Sequence, residues 1–187
     1  MSLPARFSLK LLHRFRRNRR GSAAVEFALI APLFFGLLFA IIETAMIFFA
    51  GQVLETVAQD SARVIMTGQA QNGQVTGCSA PCTQAQFKSY VCSQINALFD
   101  CVNGIYVDVR SYPANQFGSV NITPPIDSSG NFLPTMQYNI GASGSIVVVR
   151  LFYQWPLFVT ALGFNSANLN NNKRLLTATA AFKNEPF

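Results

Sequence analysis

Four cysteines, Cys78, Cys82, Cys92 and Cys101, are the residues of this chain best suited to covalent chemistry. Their choices are a redox pair, a metal site or structural disulfides. C-S-A-P-C puts three residues between its sulfurs, where a thioredoxin-type pair has two. A zinc site would need all four thiolates, because the single histidine, His13, lies far upstream. An even cysteine count in an exported segment favours disulfides. Of the three possible connectivities, Cys78–Cys82 with Cys92–Cys101 is favoured. The second bond requires the intervening helix to end early enough to bring the Cα atoms within about 4.4–6.8 Å. The acids of this region, Glu55, Asp60, Asp100, Asp108, Asp127 and Glu185, lack calcium-loop spacing. No phosphate loop, nucleophile elbow or Ser-His-Asp set can be assembled. The reading is therefore of a protein that is not an enzyme, with no catalytic residue, metal or cofactor.

The elements that position those cysteines begin with a division of charge. Lys and Arg number 14 against 8 Asp and Glu, and the charged fraction is 12%, about half the soluble-protein norm. Arg6, Lys10, Arg14, Arg16, Arg17, Arg19 and Arg20 all precede Gly21, so residues 1–21 carry +7 and the rest only −1. Phe27 to Ile42 then runs sixteen residues without a charge, and after Glu43 and Thr44 the apolar pattern resumes to Ala50. Ser22 to Ala50, 29 residues, would extend ~43 Å as a helix. A bilayer core needs about 20 residues, so Phe27 to Ala50 is read as a transmembrane segment. Pro32 should loosen the helix locally, which spans tolerate. A cleaved secretory signal fits less well: the apolar stretch is too long, and Phe48 lies three before Gly51 where a small residue is wanted. Nor do the paired arginines make a twin-arginine signal without a small-residue cut site. The basic tail abuts the span and lacks aromatic interleaving beyond Phe15, which argues against nucleic acid as a partner. It argues instead for a cytoplasmic leader, with the body 51–187 exported.

Between tail and span stands Arg19-Arg20-Gly21-Ser22-Ala23-Ala24-Val25-Glu26-Phe27. A carboxylate inside an apolar span is expensive, roughly 2.5–3.5 kcal/mol at its centre and less near an end. A plain helix-start role for Glu26 would return only ~0.3–1 kcal/mol from the helix dipole. G-S-A-A-V-E-F resembles the site cut by prepilin peptidases in the tight-adherence (Tad/Flp) branch of the type IV pilus system. The whole chain resembles a TadE-like minor pseudopilin. Further points of resemblance are Ala62-Arg63 with Thr67-Gly68, Val107-Asp108-Val109, Tyr153-Gln154-Trp155-Pro156 and the terminal Phe182-Lys183-Asn184-Glu185-Pro186-Phe187. The sister families TadF and TadG share the N-terminal pattern, and the length fits a short TadE-like chain better than a TadG-like one.

That resemblance implies processing at Gly21, Ser22, Glu26 and Phe27, with cleavage between Gly21 and Ser22. Glu26 would then face the new Ser22 ammonium of a neighbouring subunit, two charges that are tolerable together in a low-dielectric core. It implies as partners the prepilin peptidase, other pilins or pseudopilins, the inner-membrane assembly platform and the lipid bilayer. It further implies a single-pass inner-membrane protein with a periplasmic domain, in or at the tip of a pilus, and a role in adhesion. The alternative is an uncleaved, anchored periplasmic scaffold of the pilus or of another envelope complex.

The body reads as α+β. Residues 51–68 continue the long hydrophobic helix as an amphipathic one, with Leu54, Val57 or Ala58, Ser61 and Ile65 on one face and Gly68 as its stop. Gln69 to Pro81 is a loop. Thr83 and Gln86 form a capping-box pattern for a second helix, whose buried face is Phe87, Val91, Ile95 and Leu98. A turn at Asn103-Gly104 precedes strands at 105–112, with Ile105, Val107 and Val109 inward, at 145–155, and at 175–183 around Leu176, Ala178, Ala180 and Phe182. Helices followed by strands suggest a small antiparallel sheet packed on the amphipathic helix. The connection 113–143, rich in proline and glycine, is expected to be disordered.

Overall fold

A computed structural model describes residues 21–95, 99–115, 120, 122–159 and 165–187. The basic tail before Gly21, and Leu98 on the expected face of the second helix, lie outside these residues. Six elements follow in order: α1 Ser22–Met66, α2 Gln84–Gln94, α3 Cys101–Gly104, β1 Ile105–Tyr112, β2 Ile146–Pro156 and β3 Lys173–Lys183. The chain divides into two compact units, one ending at Ile41 and the other running from Ile42 to Phe187.

The first unit contains the beginning of α1. Nothing from Ser22 to Ile41 is buried, and Phe27, Leu29, Leu33, Phe34 and Leu37 stand open. Pro32 lies inside the helix without ending it.

In the second unit, one face of α1 becomes core. Glu43, Ile47, Ala50, Leu54, Val57, Ala58, Ser61, Ala62, Val64 and Ile65 are buried, the 3–4 residue rhythm of a helix laid on a core. The amphipathic stripe expected from Leu54 therefore starts about three turns earlier, at Glu43. The sheet has the order β1-β2-β3, antiparallel throughout. Its inner face carries Ile105, Val107 and Val109 of β1, Val147, Val149 and Leu151 of β2, and Leu176 and Ala178 of β3, in one cluster with α1 and with Phe87 and Val91 of α2. The Thr83–Gln86 capping box forms at the start of α2. The expected turn at Asn103-Gly104 is instead a single helical turn capped by Asp100. Gly104 has a packing reason to be glycine, since a Cβ there would come within 2.5 Å of the Tyr153 ring.

The sheet's outer face corrects the sequence reading of 113–143. The described residues of that connection are ordered against the sheet. Gln137–Asn139 lies along the β1 edge: Val109 N–H donates to Gln137 O (2.8 Å) and Asn139 N–H to Val109 O (2.9 Å). Ile126 and Phe132 bridge across a turn, and with Tyr106 and Met136 they cover a second small core of Phe152, Leu169 and Leu175. Phe132 meets Tyr106 edge-on at 4.8 Å between centroids. Length and the content of proline and glycine misled here because the anchor is polar and sits on the strands.

Candidate functional site: the start and exit of the long helix

α1 begins at Ser22, the residue after Gly21. Gly21 is exposed, with nothing within 4 Å of where a Cβ would stand. The Ser22 hydroxyl donates to Glu26 Oε1 at 2.9 Å, one helical turn away. Glu26 and Phe27 are both exposed. Ser22, Glu26 and Phe27 thus open the apolar helix together, with the Glu26 carboxylate turned back toward Ser22.

Ser22 to Ile42 is about 21 residues, or about 31 Å of helix, matching a bilayer core of about 30 Å. Among the described residues α1 alone is long and apolar enough to cross a membrane, and its most apolar stretch is entirely unburied. Glu43 follows directly. It is 7% exposed, and its carboxylate accepts the backbone N–H of Phe158 at 2.5 Å and that of Val159 at 3.2 Å to each oxygen. Charge-assisted bonds to amides are among the stronger hydrogen bonds. The sequence marked Glu43 only as an interruption of the apolar run. A carboxylate at that place was the available signal, but its partner lies more than a hundred residues downstream.

The C-terminal end of α1 is closed by residues 184–187. Glu185 N–H donates to Met66 O at 2.9 Å, occupying one of the carbonyls a helix end leaves open. Asn184 is buried; its side-chain amide donates to Ile140 O (3.0 Å) and Ala142 O (3.1 Å), and its backbone N–H to Ser145 O (2.8 Å). Gly68 has φ +78°, and a Cβ there would overlap the Phe187 ring. Thr67-Gly68 and Asn184-Glu185-Pro186-Phe187, more than a hundred residues apart in the chain, therefore meet in one structure.

Two disulfides brace the region beside it. Cys78 pairs with Cys82, with Cα atoms 4.8 Å apart, and Cys92 with Cys101 at 5.6 Å. Cys82 N–H donates to Ala70 O (2.8 Å) and Ala70 N–H to Val64 O (3.2 Å), so the first loop hangs from the end of α1. The second ties the end of α2 to α3 and thus to the start of β1. Among the described residues no group of His, Cys, Asp and Glu is placed to hold a metal ion.

Sequence reasoning missed a buried charge cluster on the sheet's outer face. Asp108, fully buried, is the register partner of Arg150. It accepts from Arg150 Nη2 (2.6 Å) and Nε (3.0 Å), from Arg110 Nε (3.0 and 3.2 Å) and from the Gln137 backbone N–H (2.7 Å). The two guanidiniums continue outward to Thr123 and to Thr135 O, and Arg150 lies 5.2 Å from the Phe152 ring centre. This cluster holds the 113–143 connection in place. Alternation put Ile105, Val107 and Val109 on the inner face, and so Asp108 and Arg110 on the other; that Arg150 joins them there follows from the register of β1 against β2, which spacing along one strand does not give.

Fold and helix together define a class: an α+β protein with one bilayer-length apolar helix at the front of a disulfide-bonded domain. Residues 21–63 match the family model of the TadE-like proteins, which is consistent with a TadE-like protein of the Tad pilus system. The matched stretch opens on Gly21 and covers α1 almost to its end. No curated protein and no solved structure matches the chain.

Proposed function

We propose that this chain is a non-enzymatic minor pseudopilin that takes part in assembly or initiation of a Tad/Flp-type pilus, after a prepilin peptidase cuts between Gly21 and Ser22. The observation that carries this reading is the 2.9 Å bond from Ser22 to Glu26 at the very start of an unburied apolar helix, within the segment that matches the TadE-like family. Cleavage would give Ser22 a free ammonium. Glu26 is then positioned to accept it from a neighbouring subunit, setting register as helices bundle and each charge offsets the desolvation of the other. The +7 leader keeps its end in the cytoplasm, and the disulfide-bonded domain folds in the oxidising periplasm.

The test is Glu26→Leu in the native host. The variant should insert in the membrane and be processed normally, yet be missing from purified pilus fractions. Its co-purification with the pilus at wild-type level would remove Glu26 from the assembly step.

A further inference from the structure

Phe158 is 82% exposed, more open than any large apolar residue of the bilayer-length run, where Leu29 reaches 76%. It is nonetheless firmly placed. Leu157 before it packs on the main core, and the Glu43 carboxylate takes the consecutive amides of Phe158 and Val159. One acceptor for two successive N–H groups fixes the turn and leaves the Phe158 ring outward.

Glu43 ties that turn to α1. It is the first buried residue of α1 and directly follows the unburied run Ser22–Ile42, so the amides of the turn are bonded to the residue next after that run. The chain carries no charged side chain between Arg150 and Lys173, so no charge on this segment opposes contact with an apolar phase.

We propose that the turn Leu157–Val159 rests on the lipid bilayer beside α1, with the Phe158 ring inserted at the boundary between headgroups and acyl chains. An apolar ring at that boundary gains from leaving water, as interfacial anchors do. Glu43, the acid bonded to this turn, is made tolerable there because amides of the turn satisfy it. The domain thereby contacts the membrane at two points, which restricts its rotation about α1. The proposal rests on Ser22–Ile42 spanning the bilayer and is independent of cleavage or pilus entry.

All four cysteines are in disulfides, so Phe158→Cys creates a single free thiol in the full-length protein for a nitroxide label. The labelled chain is placed in phosphatidylcholine–phosphatidylglycerol vesicles, and collision with oxygen and with a water-soluble nickel chelate is measured by electron paramagnetic resonance. The label at 158 should collide more with oxygen than with nickel, as should one at Leu33→Cys. One at Thr177→Cys, exposed on β3, should show the reverse. Adding Glu43→Leu should shift the 158 label toward the Thr177 ratio. Nickel dominance at 158 while position 33 reads lipid would overturn the proposal. So would spin–spin broadening at 158 that persists on lipid dilution, since a second copy would then cover the ring. Nickel dominance at position 33 would overturn the spanning helix itself.

Discussion

The backbone N–H of Glu185 lies 2.9 Å from the carbonyl oxygen of Met66, the last residue of α1. The final residues of the chain thereby end its longest helix, and they do so through side chains on both flanks: Asn184 buried on one, Phe187 over Gly68 on the other. The end of α1 is thus tied to the segment that follows β3, in addition to the packing of α1 on the sheet.

Asn184→Ala should loosen that tie. It removes two donors and leaves Ile140 O and Ala142 O without them, in a buried setting where an unpaired group costs about 1–3 kcal/mol. Denaturant unfolding of the full chain in detergent should show a loss of this size, with Asn184→Asp no better because it supplies no amide donor.

Gly68 and Phe187 should be energetically coupled. Gly68→Ala forces a Cβ into a positive-φ backbone, costing roughly 1–2 kcal/mol, and adds its overlap with the ring. In a Phe187→Ala background only the backbone part remains, so the second change should cost less than in the wild type. Equal costs in the two backgrounds would mean that the ring does not occupy the space above Gly68.

Asp108→Asn should be among the most damaging single changes. It leaves two buried guanidiniums without their shared carboxylate, and breaking a buried pair typically costs about 3–5 kcal/mol. The loss should be accompanied by faster proteolysis within 122–139, because the same cluster anchors that segment through Thr123, Thr135 and Gln137. Arg110→Met, which removes a charge and leaves the Arg150–Asp108 pair, should cost less.

Acid should release the surface turn at Asp127. The Asn131 side chain donates to its carboxylate, and the backbone amides of Asn131 and Ser129 add to this, holding its pKa below the ordinary aspartate value. A folded pKa below the unfolded one means that the turn's contribution is present above the ordinary value and is lost as pH falls through the folded one. NMR titration should give Asp127 the lower midpoint in the folded protein than in a peptide of residues 125–133.

The legible parts of this fold were those written in local pattern. The apolar run after Gly21, the capping box at Thr83 and the alternation in β1 each depend on near neighbours and were readable from spacing. The stripe on α1 was read from Leu54 because Phe48 and Phe49 blur the pattern upstream; only the folded sheet distinguishes Ile47, which is buried, from its exposed neighbours. Asp108, Glu43 and Asn184 were out of reach for a different reason. Each is a buried polar group that, apart from Arg110 beside Asp108, has its partners between 29 and 116 residues away, and composition gives no hint of such pairing. The 113–143 connection looked unstructured because its anchor is supplied by the sheet and not by its own residues.

The central claim is that Ser22 becomes the first residue of the working protein. Intact mass of the membrane-extracted chain, with and without the cognate prepilin peptidase, tests it most directly. Loss of residues 1–21 only when the peptidase is present is the predicted result, and Gly21→Val should abolish that loss. A full-length chain in both samples would contradict the account, since Glu26 would then have no free amine to meet and the protein would act as an uncut anchored scaffold.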